Sequence, residues 1–211
     1  MPDTTVSGAQ SASDTSEEVT SKILAAAQHE FELVGIQRSS VGVIARRAGI
    51  ARATVYRRFP GKDTLVQAVA AREVLAVLAR IAASVAEATD TGEAIVHLTV
   101  AGARELRSNA LLNRLLTTEP EALYNYAANN GGSVLAVTRR FVVEYLESLG
   151  NPEQLRPSTE LAIAAELMIR IATTQLLIPD GVIPLHDDDE VGEFARRYFV
   201  PLILPETTEA K

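Results

Sequence analysis

Apolar residues return every three or four positions along almost the whole 211-residue chain, and turn dipeptides lie far apart. Val and Ile keep this spacing instead of alternating, so strand signals are weak and the pattern predicts an all-α protein of about nine helices. Start and stop residues divide it. Thr15 with Glu18 reads as a capping box for a first helix whose stripe is Leu24, Ala27, Phe31 and Val34, with Gly35 as its stop. Ser40 caps a short second helix that turns Val41, Ile44, Ala45 and Ala48 inward and stops at Gly49; a third runs from about Ala51 to Arg58, ahead of Pro60. A long helix follows from Lys62 to Thr89 through Leu65, Val69, Leu75, Leu78, Ile81 and Val85. Asp90 with Glu93 caps the next, which ends near Arg107. The chain is then broken: a short helix over Leu111 to Leu116, a restart at Pro120, a stop at Asn129-Asn130-Gly131-Gly132, and a helix from Ser133 closed by Gly150. The last two helices span about Ser158 to Ile178 and Asp188 to Ile203, separated by Pro179-Asp180-Gly181. No internal repeat is present.

What the chain lacks narrows its chemistry. It has no cysteine, which removes disulfides, thiolate metal sites and cysteine nucleophiles and fits a reducing, cytoplasmic setting. His29, His97 and His186 are too scattered for a zinc cluster, so no metal or cofactor is expected. There is no phosphate-cradling Gly motif, no G-x-S-x-G and no His/carboxylate metal spacing; the chain is not expected to be an enzyme, and no catalytic residue is assigned. Met1 to Glu18 has no Lys, Arg or apolar run, which excludes a secretory signal, and its Ser, Thr, Asp and Gly content predicts a disordered tail over 1–14. The one long apolar stretch, Leu161 to Ile178, carries Glu166 and Arg170. Each would cost roughly 2.5–3.5 kcal/mol at a bilayer centre, so a buried helix of a soluble protein is expected and no membrane span.

Charge is unevenly placed. The net charge is −7, yet from Arg38 to Lys62 the chain holds Arg38, Arg46, Arg47, Arg52, Arg57, Arg58 and Lys62 with no acid among them. The remainder carries 13 Lys and Arg against 27 Asp and Glu. A basic block in an acidic protein is either the footprint of a polyanion site or a solvated helical face. The order of residues in the block favours the first. Ser40 to Phe59 forms two short helices around a Gly49 turn, with small Ala45 and Ala48 where the helices approach and Ile44, Ile50, Val55 and Phe59 as core. Arg52, Ala53, Thr54, Tyr56 and Arg57 are left to project from the second of them. Arg suits guanine edges, a Thr methyl suits thymine, and hydroxyls and cations suit phosphate, so this helix fits a DNA major groove.

The run Thr54-Val55-Tyr56-Arg57-Arg58-Phe59-Pro60-Gly61-Lys62-Asp63-Thr64-Leu65 resembles the signature of the tetracycline-repressor (TetR) family, T-[LV]-Y-x-x-F followed by K-[ED]-x-L, with the preceding I-A-x-x-A-G turn in register. The resemblance covers about Thr20 to Val74. It implies a helix-turn-helix over about 40–59 within a DNA-binding domain of 15–75, and a larger helical domain over 76–211 that senses a ligand and dimerises. It also implies that Ser40, Arg52, Ala53, Thr54, Tyr56, Arg57 and Lys62 form the DNA surface, with Arg52 and Thr54 towards bases and Tyr56 and Lys62 on phosphate. Tyr56 as a packing tyrosine is the bland alternative. Arg46 and Arg47 read as a solvated face near the phosphates, and Arg38 as solvated or a marginal phosphate contact. Two positions depart from the family pattern: Ala51 stands where a capping Ser is usual, and Gly42 where a groove-facing polar residue is common.

In the larger domain the Ser158 to Ile178 helix is apolar almost all round, which predicts neighbours on every side, a partner subunit among them. The last helix presents Val191, Phe194, Ala195, Tyr198 and Phe199 on one face. Together they predict a homodimer through a four-helix interface, fitted to paired half-sites of double-stranded operator DNA. Asp187 to Glu190 reads as a helix start favoured by the dipole in preference to a cation site. The interrupted middle helices predict a pocket for a small, largely apolar effector, with His97, Arg104, Asn113, Tyr124 and Tyr126 as candidate polar anchors, each also readable as plain surface or core. The expected function is a transcriptional repressor released from its operator by that effector.

Overall fold

The structure is a computed structural model that describes residues 6–85, 88, 90–149, 155–178, 180–183 and 186–205, with side chains from Ser16 onward. All regular elements among them are helical: α1 (Val6–Val34), α2 (Val41–Ala48), α3 (Arg52–Arg58), α4 (Lys62–Ser84), α5 (Thr91–Ser108), α6 (Ala110–Thr118), α7 (Pro120–Ser148), α8 (Ser158–Leu177), α9 (Asp188–Phe194), a π turn (Ala195–Phe199) and α10 (Val200–Ile203). The expectation of an all-α protein holds. No described helix is long and apolar enough to cross a membrane.

The chain divides into two compact units. The first joins residues up to Glu73 with Ala110–Leu123. Its core takes Leu24, Ala27 and Phe31 of the expected α1 stripe, with Val34 only half-buried, and is closed by Ile44 of α2, Val55 of α3, and Leu65 and Val69 of α4. Leu111 and Leu115 of α6 are buried in that same core, so a piece of chain distant in sequence completes the unit. The turn between α2 and α3 is a Schellman motif: Gly49 takes φ 69°, its N–H meets Arg46 O, and the Ile50 N–H meets Ala45 O. An added Cβ at Gly49 would touch nothing within 4 Å, so the backbone angle, not space, demands glycine here.

Helix α1 corrects one expectation. It begins at Val6, so residues 6–14 are helical instead of a tail, and Thr15 lies inside the helix instead of capping it; Met1 to Thr5 lie outside the described residues. Ala9, Gln10 and Ala12 are tolerant of helix, and lengthening an existing helix requires no new nucleus. Glu18 pairs instead with Lys22 at 2.6 Å, one turn on.

The second unit comprises Val74–Asn109 and the chain from Tyr124 onward. Its core packs Ile81 and Val85 with Ile95 and Leu98 of α5, Val142 and Leu146 of α7, Leu161, Ala165 and Met168 of α8, and Phe199 and Ile203. Asp90 caps α5 as expected, its carboxylate accepting the Glu93 N–H at 2.9 Å. Helix α4 ends at Ser84, short of Thr89, and Leu75 of its expected apolar stripe is exposed. The Tyr145 hydroxyl donates to Val85 O at 2.8 Å just beyond that end. Ala86, Glu87, Thr89, Gly150 and Pro179 lie outside the described residues. The expected break at Asn129 to Gly132 is absent, for α7 runs unbroken through it. Asn129 and Asn130 turn their amides back onto Asn125 O (2.8 Å) and Tyr126 O (3.3 Å), which absorbs their turn-forming tendency inside the helix. In the last helical stretch the Val200 N–H bonds Ala195 O, five residues back, directly before Pro201, which has no N–H to continue the α ladder.

Candidate nucleic-acid interface

Helix α3 is anchored by one fully buried residue, Val55, and the residues around it face outward. Arg52, Ala53, Tyr56 and Arg57 are exposed and Thr54 is half-buried, which is the register expected from the sequence. Arg52 and Tyr56 are one turn apart and act as a pair: the guanidinium donates to the phenol oxygen at 3.3 Å and lies 5.4 Å from the ring centroid. Tyr56 thus accepts from Arg52, and its own proton is left to donate outward. The stacked ring also limits the rotamers open to Arg52, which lowers the entropy lost when its planar fork meets a base or phosphate.

The caps of the two short helices are bare. Ser40 occupies the N-cap position of α2, with its carbonyl accepting from the Ile44 N–H at 3.0 Å, but its hydroxyl makes no capping bond. The expectation of a side-chain cap is corrected; the exposed hydroxyl is left beside the first turn of α2. Ala51 caps α3 with backbone only, which forgoes about 0.5–2 kcal/mol of local stability relative to Ser. A Cβ at Gly42 would meet Ser40 Oγ at 3.6 Å, an ordinary contact.

The seven cations of the basic block separate into two groups. Arg38, Arg46, Arg52 and Arg57 are exposed. Arg47 is exposed too, yet it pairs at 3.3 Å with Glu30, a carboxylate only 6% exposed, and so joins α2 to α1. Arg58 reaches back to Thr20 Oγ1 at 2.6 Å and Ser16 Oγ at 3.0 Å, tying α3 to α1. Lys62, the first residue of α4, donates to Gln37 O and Ser39 O, both at 2.9 Å. Carbonyls do not neutralise the ammonium, and one of its three protons stays unassigned by these bonds.

Residues 23–69 match the family model for bacterial regulatory proteins of the tetR family. That segment, which holds α2 and α3 with the flanking parts of α1 and α4, is thus similar to the N-terminal domain of these regulators. An uncharacterized HTH-type transcriptional regulator of Mycobacterium bovis is 33% identical over 103 residues, covering 49% of this chain and 52% of the relative. The chain therefore spans about half the length of that relative in the alignment. One from Mycobacterium tuberculosis is 24% identical over 190 residues, 90% of this chain and 88% of its own. Among solved structures, the TetR-family repressor AlkX of a Dietzia strain, implicated in n-alkane biodegradation, superposes with TM-score 0.66 at 16% identity over 85% of this chain and 92% of that one. At that identity the likeness shows the fold.

The five candidate effector residues are dispersed. His97 and Arg104 lie on the exposed side of α5, His97 3.9 Å from Glu93 and Arg104 bonded to Asp188. Asn113 is exposed on α6, in the first unit. Tyr124 is exposed on α7, and Tyr126 is half-buried, its phenol pushed up by burial. A groove of about 420 Å³ between α7 and α8 is lined by Ala136, Val137, Arg139, Arg140, Val143 and Ala162, none of them among the five. The acidic run has other work. Asp187 caps α9 by accepting the Glu190 N–H at 2.9 Å, Glu190 accepts the His186 N–H at 2.9 Å, and Asp188 takes Arg104 and Arg107.

Proposed function

We propose that the chain is a transcriptional repressor that grips a palindromic operator as a homodimer and is released by a small, largely apolar ligand. The observation that carries the reading is the outward set on α3, where Val55 fixes the helix and Arg52, Tyr56 and Arg57 stand clear of the core. In this reading Arg52 and Thr54 meet bases, with Ala53 beside them. Ser40, Tyr56, Arg57 and Lys62 hold phosphate. Supporting a dimer, one seven-residue helix reads too few base pairs to be selective alone. Helix α8 also leaves Ile163 and Leu167, one turn apart, 58% and 43% exposed, and Tyr198 is 50% exposed on the π turn. Apolar side chains so placed suit the matching face of a second copy. The ligand part rests on the family resemblance.

The test is binding to a duplex enriched by the protein itself from a randomised pool. A dimer by sedimentation, a two-fold symmetric consensus, and a log–log salt slope of several units are the expected results. A monomer at micromolar concentration, or affinity that ignores salt, overturns the reading.

A further inference from the structure

The loop between α1 and α2 is held from two directions by opposite charges. On one side stands Glu119, only 8% exposed, between the end of α6 and the start of α7. Its carboxylate accepts the Gln37 N–H at 3.0 and 3.3 Å, and its own main chain is fixed by the Glu119 N–H to Leu115 O and by Ala122 N–H to Glu119 O. On the other side the Lys62 ammonium holds Gln37 O and Ser39 O. Gly35 completes the seat: it has φ 85°, and a Cβ built there falls 2.0 Å from Glu119 Oε1. The close approach of loop and carboxylate thus needs a residue without a side chain.

The two helices that begin at these anchors both run on from the first unit into the second, α4 past Glu73 and α7 past Leu123. Their first turns therefore converge on the main chain of one residue, Gln37. The loop leads within a few residues to Ser40, the N-cap of α2, so its position sets where α2 starts. We infer that Glu119 is a positioning residue for DNA binding, holding the α1–α2 loop so that α2 and α3 are presented in register. A buried carboxylate bonded to a main-chain N–H is a strong and directional contact, and removing the acceptor leaves that N–H unpaired. The inference rests on the DNA-binding reading above.

Two variants separate the acceptor from its bulk. Glu119→Gln keeps an acceptor oxygen; Glu119→Met keeps a linear stem of similar volume without one. Hydrogen exchange and affinity for the pool-enriched duplex are measured on the full chain. In the E119M variant the Gln37 amide is expected to exchange at least about tenfold faster and the duplex to bind about tenfold more weakly, with amides of α5 and α8 unchanged. E119Q should stay within about threefold of the parent in both. E119M that binds as the parent, or E119Q as weak as E119M, overturns the inference. If E119M does not fold, the parent decides: a Gln37 amide no better protected than that of its neighbour Arg38 overturns the inference, and clear protection supports it. Failure of the parent itself to bind DNA is a failure of the proposed function, and the exchange data still judge the contact.

Discussion

Arg52 and Lys62 belong to one acid-free segment, and the proposed function gives them different work. Arg52 is exposed and lies over the Tyr56 ring, to whose hydroxyl it donates. Replacing it by Ala is expected to cost on the order of 1–3 kcal/mol and to relax selectivity at one position of each half-site. Lys62→Ala is expected to weaken all duplexes alike and to lower the log–log salt slope by about one. Titrations of matched and mismatched duplexes at several salt concentrations distinguish the two; equal, sequence-independent losses would refute the division. The register of Arg52, Tyr56 and Arg57 was legible from periodicity because Ile44 and Val55 mark the inner side unambiguously. The roles of Arg47 and Arg58 were not. Their partners Glu30, Thr20 and Ser16 stand 17, 38 and 42 residues earlier, and a local apolar period carries no information about such pairs. Ser40 shows a similar limit: residue type and spacing place a cap, but not the rotamer that would make its bond.

Helix α8 tests how far composition alone can be pushed. Apolar residues all round it suggest burial on every side, whereas Leu161, Ala164, Ala165 and Met168 are buried and Ile163 and Leu167 are left exposed. Phe199, which the sequence places on the dimer face, is 3% exposed inside its own core, and Ile171 packs partly against that core. Leu167→Glu is therefore expected to yield a folded monomer by sedimentation, while Phe199→Glu unfolds the chain, because a buried unpaired charge costs several kcal/mol. A dimeric L167E protein would tell against α8 as the interface. The start of α9 makes a pH prediction. Hydrogen bonds from Arg104, with Arg107 beside it, hold the Asp188 carboxyl below the usual carboxylate range. A depressed pKa stabilises the fold above the unfolded value, near 3.9 for Asp, and that contribution is lost as pH falls through the folded value. Asp188→Asn should thus melt slightly below the parent at pH 7, by the small margin of an exposed pair, and level with it near pH 2. A gap that persists in acid would assign the loss to packing. The cap at Asp90 was readable from its spacing to Glu93, and the acidic run from Asp187 as a helix start, but the continuity of α7 was not, since Asn-Asn-Gly-Gly signals a turn wherever nothing else decides.

Two helices, α4 and α7, have residues in both compact units, so any ligand acting on the second unit has two continuous routes to the first. Effector binding that weakens DNA binding by a given factor must itself be weakened by DNA to the same degree, and about 1–3 kcal/mol of coupling is enough for a regulator. Titrating a compound found by thermal-shift screening, with and without the enriched duplex, checks this; an affinity indifferent to DNA would mean the compound is no inducer. The uninterrupted course of α7 bears on heat resistance. Gly131 and Gly132 lie well inside the helix, and a methyl added to either would meet nothing within 4 Å. Each Gly→Ala exchange there should stabilise by about 0.5–1 kcal/mol. Together they should raise the melting temperature by about 2–8 °C for a chain of this size. A rod so stiffened would bend less readily at mid-length, so the same pair of methyls that hardens the protein against heat is expected to blunt its answer to an inducer while leaving the grip on DNA intact.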